Sequence, residues 1–186
     1  MEQRKRRGSI RNEERRSNQE QGRRTLNMKR NAFLAIAIGG LSAGLIDLAQ
    51  ALVLFGTRVP LGIAAGLIGR PAAHAGGVAV YALGIFLHFF IATSAATVYY
   101  VASRWLAFLK EHWLICGLFY GAAIDQVMTL IVLPLSALQA RGPYKLHDLL
   151  LGIGVHMITV GLPISFSVWR FGNQSAVSIN SSRVSR

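Results

Sequence analysis

Charged residues are scarce in this sequence. Of its 186 residues only 15% are charged and eight are Asp or Glu, whereas an average soluble domain carries about 25% charged residues. Two long stretches, 71–103 and 149–169, contain no Asp, Glu, Lys or Arg. Because a helix needs about 20 apolar residues to cross the hydrocarbon of a bilayer, these stretches predict membrane-spanning helices.

Cysteine is nearly absent too. The single cysteine, Cys116, excludes an intrachain disulfide and a metal site with several Cys ligands, and we expect it to be a buried, inert thiol. The sequence also lacks a phosphate-binding Gly loop with its Lys, a nucleophile elbow and a dinucleotide-binding fingerprint. We therefore predict no enzyme activity, no catalytic residue and no cofactor.

Basic residues are abundant but segregated. The net charge is +12, and 11 of the 20 Lys and Arg lie in residues 1–30. That segment has almost no apolar content, which predicts a disordered, basic cytoplasmic tail. The tail either serves to fix the topology or contacts anionic lipid headgroups. The charge does not indicate a nucleic-acid partner. Residues 171–186, rich in Ser and Asn, predict a second loose polar cytoplasmic tail.

The apolar segments predict an all-α integral membrane four-helix bundle over residues 31–170. A ten-residue apolar piece between Pro60 and Pro71 is too short to span, so we predict a short interfacial or re-entrant helix between spans one and two. His74 follows it in a Gly/Ala loop that we expect to be solvated. The predicted spans cover residues 32–55, 78–102, 113–135 and 147–169.

The distribution of Lys and Arg predicts the orientation of the spans. Sixteen of them lie in residues 1–30, the 103–112 turn and residues 170–186, and four lie in the two other loops. The positive-inside rule places both termini in the cytoplasm. Trp105, Trp113 and Trp169 fall at the same cytoplasmic boundary, as expected of an aromatic belt.

Each predicted span contains one ionisable residue near its middle: Asp47, His88, Asp125 and His156. A charge at that depth costs roughly 2.5–3.5 kcal/mol on insertion scales, so each should face a partner. All four share a helix face with small residues, where membrane helices approach closely. With Gln50 and Gln126 they form the predicted polar cluster. The predicted packing glycines are Gly40, Gly44, Gly84, Gly117, Gly121 and Gly152.

The same residues suggest an internal repeat. Asp47 and Asp125 follow small residues at the same offsets, and His88 and His156 each end a Gly-Ile-x-x-His segment. The chain then consists of two parallel hairpins, each with an Asp helix followed by a His helix.

Three interpretations of the polar cluster stay open at this point. The Asp–His pairs could be structural and fix the register of the helices, which would suit an accessory subunit of a membrane complex. They could form a proton relay or ion pathway in a small transporter or channel subunit. A metal site is the weakest alternative, because no clustered ligand spacing is present, and we predict no metal. The small-residue faces also permit a homo-oligomer or a contact with another membrane protein.

Short motifs lie on spans two to four. They are His88-Phe-Phe-Ile with Tyr99-Tyr100, Gly117-Leu-Phe-Tyr-Gly121 with Leu133-Pro134-Leu-Ser, and Gly152-Ile-Gly-Val-His156 with Gly161-Leu-Pro. These motifs resemble the YagU-like family of small bacterial inner-membrane proteins of unknown function. The resemblance covers roughly residues 31–170 and implies a four-helix bundle in a bacterial inner membrane. It implies no activity.

Overall fold

A computed structural model describes the backbone of residues 2–172, and over this range the chain is helical and contains no strand. The predicted tail over 173–186 lies outside the described residues. Two of the long helices are interrupted by a five-residue π-helical segment. The elements in order are α1 (Glu2–Phe55), α2 (Val59–Ile68), α3 (Arg70–Ala75), α4 (Val78–Trp105), α5 (Phe108–Glu111), α6 (Trp113–Val127), π1 (Met128–Val132), α7 (Leu133–Leu135), α8 (Leu146–His156), π2 (Met157–Gly161) and α9 (Leu162–Gly172).

Four of these helical segments are long and apolar enough to cross a membrane, which indicates a multi-pass membrane protein. Span one is the apolar part of α1, span two is α4, span three is α6–π1–α7 and span four is α8–π2–α9. Most of their large apolar side chains face outward, including Phe33, Phe86, Phe119 and Ile158. Such an outward apolar surface suits lipid rather than water.

The structure differs from the prediction at the amino terminus, where α1 begins at Glu2 instead of near residue 31. Residues 25–30 are exposed, so the argument that this segment cannot bury apolar surface still holds. However, it has no proline and is rich in Arg, Gln and Glu, which have high helix propensity. Continuation of an existing helix also avoids the cost of a new nucleus.

Span one lies at the centre of the fold and packs against both span two and span four, while span three packs against span four. The contacts of span one use small residues, since Ala35 and Ala43 are fully buried. The Ser167 hydroxyl of span four donates a hydrogen bond to the Ala35 carbonyl across this interface, at 2.9 Å. Close backbone approach of this kind is typical of membrane helices.

Spans two and three contact each other in the half of the molecule that adjoins the 106–112 turn. There Tyr99 is 1% exposed, and its ring packs edge-on against the Tyr120 ring, with centroids 4.9 Å apart. The Tyr120 hydroxyl donates to the Ala95 carbonyl at 2.7 Å. Trp113 and Trp169 stack at the same end of the molecule, with ring centroids 5.6 Å apart.

The segment after span one forms two short helices rather than one. α2 has Pro60 in its first turn and packs against span two, where the Pro60 carbonyl abuts Gly84. His74 was predicted to lie in a loop, but it lies in α3 and its Nδ1–H donates to the Arg70 carbonyl at 2.8 Å. Pro71 explains the helix, because proline is well suited to a first helical turn.

Candidate functional site

The centre of the second hairpin holds a close Asp–His pair. Asp125 lies about 18 Å along the helix axis from Trp113, at 1.5 Å rise per residue, and its side chain is 6% exposed. His156 of span four faces it, with Nδ1 3.2 Å from the Asp125 Oδ1. Gly152, one turn before His156, also borders this oxygen. The partner that the sequence required for Asp125 is therefore His156.

The hydrogen bonds around this pair define its protonation. The His156 Nδ1 also lies 3.0 Å from the Gly152 carbonyl, which can only accept, so Nδ1 carries a hydrogen. Gln126 donates from Nε2 to the other carboxylate oxygen, Oδ2, at 3.1 Å. The other oxygen, Oδ1, lies 3.2 Å from the His156 Nδ1, whose hydrogen bond goes to the Gly152 carbonyl. The second ring nitrogen of His156, Nε2, has no protein hydrogen bond among the described residues.

The first hairpin contains a looser pair. His88 of span two lies with Nε2 4.0 Å from the Asp47 Oδ2 of span one. Its Nε2–H donates to the Gly44 carbonyl at 2.8 Å, so the imidazole is held by the backbone of span one beside the carboxylate. Each Asp–His pair thus joins the two helices of one hairpin.

Thr159 connects the first pair to span four. Its hydroxyl lies 2.7 Å from the Asp47 Oδ1 and 3.0 Å from the Val155 carbonyl of its own helix. Thr159 is buried and lies three residues after His156, about one helical turn away. Asp47 also lies within electrostatic reach of Asp125. The two Asp–His pairs are therefore parts of one polar region that includes side chains from all four spans.

A π-helical segment adjoins each member of the second pair. π1 begins three residues after Asp125, and π2 begins directly after His156. Pro134 and Pro163 each follow the start of their π segment by six residues. Proline lacks an N–H and collides with the carbonyl four residues earlier, which favours the wider i→i+5 turn ahead of it. Such segments often occur at functional sites.

The predicted packing glycines lie at close helix contacts. A Cβ on Gly40 would lie 2.7 Å from the Thr93 Cα, and one on Gly44 would lie 2.8 Å from the Phe89 ring. Gly117 and Gly121 face span four, where they meet Ser165 and the backbone at His156. Gly161, which was not among the predicted glycines, abuts the Gly117 carbonyl.

The remaining predicted residue, Gln50, lies apart from the hydrogen-bonded cluster. It is half-buried and makes no side-chain hydrogen bond within residues 15–172. Over the same part of the chain, His, Cys, Asp and Glu side chains do not gather in groups of three or more that could hold a metal ion. The chemistry available to the cluster is proton binding by two imidazoles and two carboxylates.

The comparisons with known proteins add no assignment: no family model, curated protein or solved structure matches the chain. The resemblance to the YagU-like family stays a prediction. No finding points to an enzyme.

Proposed function

We propose that the chain is an integral membrane four-helix bundle of a bacterial inner membrane, with both termini in the cytoplasm, that moves protons or small cations. Asp47, His88, Asp125 and His156 are the groups that bind and release the transported charge. Ionisable residues inside a membrane mark proton relays and ion pathways by default, because their cost is not repaid by packing alone.

One observation carries this proposal: the Asp–His pairs are not isolated, since Thr159 of span four hydrogen-bonds Asp47 one turn from His156. The hydrogen-bond partner of Asp47 and the second pair are therefore separated by a single helical turn of span four. If each pair only fixed the register of its own two helices, no hydrogen bond between Thr159 and Asp47 would be needed.

The His156 ring supplies the first step. Its side chain is 26% exposed, and its Nε2 is free to take up a proton. The positive charge of the imidazolium that forms is balanced by the Asp125 carboxylate, whose Oδ1 lies 3.2 Å from Nδ1. Transfer of the Nδ1 proton to Asp125 then regenerates a neutral imidazole. The wider turns of π1 and π2 provide backbone that can adjust during this exchange.

Proton flux in proteoliposomes tests the proposal. An imposed membrane potential should drive proton uptake, read by an enclosed pH-sensitive dye, and Asp47→Asn and Asp125→Asn should each reduce the rate at least about tenfold, as expected for loss of an essential proton carrier. Gln50→Leu is the matched control, because Gln50 lies in span one but outside the hydrogen-bonded cluster. Unchanged rates in both Asp variants, or no flux of protons, Na⁺ or K⁺ through the wild-type protein, would contradict the proposal.

A second candidate function is an accessory subunit of a membrane complex with a purely structural Asp–His core. It is favoured by the hydrogen bonding of the core. In the described part of the chain, every buried side-chain nitrogen and oxygen has a hydrogen-bond partner. This candidate predicts that another membrane protein co-purifies in mild detergent. Recovery of the chain alone under those conditions counts against it.

A further inference from the structure

A groove opens between spans two and three on the side away from the 106–112 turn. Its volume is about 480 Å³, within the roughly 300–1,000 Å³ typical of ligand pockets. α2 forms one wall through Ile63 and Leu67, and span two contributes Leu87 and Ile91. Span three contributes Val132 and its neighbours. The lining is almost wholly apolar, so the groove suits a hydrocarbon chain rather than water or an ion.

A second cavity of about 500 Å³ lies next to the groove and adds basic side chains to an otherwise apolar lining. The two cavities share Gly62 and Leu138 in their linings, so they lie side by side. Arg58, Arg70 and His74 line the second cavity. The chain has no Asp or Glu between residues 48 and 110, so no acidic side chain from α2, α3 or span two neutralises these arginines.

We propose that these two adjoining cavities bind one anionic phospholipid, with an acyl chain in the groove and the phosphate between Arg58 and Arg70. The arrangement matches an amphiphile, since the almost wholly apolar groove lies next to a cavity that carries two arginines. Arg is suited to phosphate because its planar guanidinium can donate two parallel hydrogen bonds to phosphate oxygens. The His74 Nδ1–H is occupied by the Arg70 carbonyl, which leaves its Nε2 as a third polar contact for a headgroup.

The positive charge of the second cavity favours an anionic occupant over a zwitterionic or neutral one. A zwitterionic lipid would bring a cationic headgroup next to two arginines, and a neutral helix of another protein would leave their charge unbalanced. The location differs from the amino-terminal tail, because the cavity lies on α2 and α3 beyond span one. Lipid binding at this site is independent of proton or ion transport.

Native mass spectrometry of the full chain released from detergent micelles tests this site with phosphatidylglycerol and phosphatidylcholine as probes. We expect one phosphatidylglycerol per chain to be retained at least about fivefold more than phosphatidylcholine, a coupling of roughly 1 kcal/mol. The double variant Arg58→Gln/Arg70→Gln should lose this preference. Arg141→Gln is the control, because Arg141 lies in a loop and lines neither cavity.

Two further measurements separate the acyl chain from the headgroup. Gly62→Phe places a ring where the two cavities join, at a site with no other heavy atom within 4 Å of a Cβ, and should reduce retention of both lipids. Inorganic phosphate in excess should not displace phosphatidylglycerol. Equal retention of the two lipids by the wild-type protein, an equal loss of preference in Arg141→Gln, or displacement by phosphate alone would each overturn the proposal.

Discussion

Replacement of Gly161 by alanine is expected to lower the free energy of unfolding by about 1–3 kcal/mol, the usual range for overpacking a tight contact. A Cβ at Gly161 would collide with the Gly117 carbonyl and would lie 2.9 Å from the Gly121 amide nitrogen. These are backbone atoms, so neither can move aside without separating spans three and four. The separation would also weaken the Asp125–His156 contact between the same two spans.

Gly154 provides the matched control in the same span. A Cβ there meets no heavy atom within 4 Å. Gly154→Ala should be neutral or stabilise by about 0.5–1 kcal/mol, because alanine loses less conformational freedom in a helix than glycine does. Unfolding followed by circular dichroism in mixed detergent micelles measures both variants. Equal stability of the two alanine variants would show that the close contact at Gly161 does not hold the fold together.

Replacement of His156 by leucine is expected to cost about 3 kcal/mol, the lower end of the range for breaking a buried ion pair by removing one partner. The variant leaves Asp125 with Gln126 as its single side-chain donor. The Asp125→Asn/His156→Leu double variant should be more stable than His156→Leu alone, because it removes the uncompensated charge as well.

The coupling energy from this double-mutant cycle distinguishes an ion pair from a neutral hydrogen bond. Polar contacts between membrane helices average about 0.6 kcal/mol and reach about 1.7 kcal/mol. We expect the Asp125–His156 coupling to exceed the upper value, since a desolvated charge is involved. The same cycle for Asp47 and His88 should give a smaller value, because their closest atoms are 4.0 Å apart, against 3.2 Å for Asp125 and His156. A larger coupling in the first hairpin than in the second would contradict this ranking.

The positions of the candidate spans could be predicted from the sequence because they depend on local composition. Span three covers Trp113–Leu135, as the apolar run indicated, and spans two and four differ from the prediction at their ends by at most three residues. The start of α1 could not be predicted by the same reasoning. Burial arguments predict which residues pack together, whereas the backbone of residues 2–30 is helical although the side chains of residues 15–23 and 25–30 are exposed.

The pairing of the polar residues could be predicted only in part. Asp125 was predicted to face a partner, but whether that partner is His88 or His156 depends on which helices touch. Thr159 was not in the predicted polar cluster, and its bond to Asp47 requires span four to pack on span one. The π segments were not predicted either, although Pro134 and Pro163 each lie just after one of them. The parallel repeat stays a prediction; in the described residues, π segments occur in the second hairpin and not in the first.

The proposed proton pathway requires Thr159 to connect the two Asp–His pairs. The most direct measurement compares proton flux of Thr159→Val and Thr97→Val in proteoliposomes at equal amounts of folded protein. Both substitutions remove one hydroxyl from a span, but the Thr97 hydroxyl donates to the Thr93 carbonyl of its own helix at 2.8 Å and has no contact with the cluster. We predict that Thr159→Val lowers the flux at least about tenfold, as loss of a connecting proton carrier should, and that Thr97→Val leaves it unchanged. Wild-type flux in folded Thr159→Val would contradict the claim.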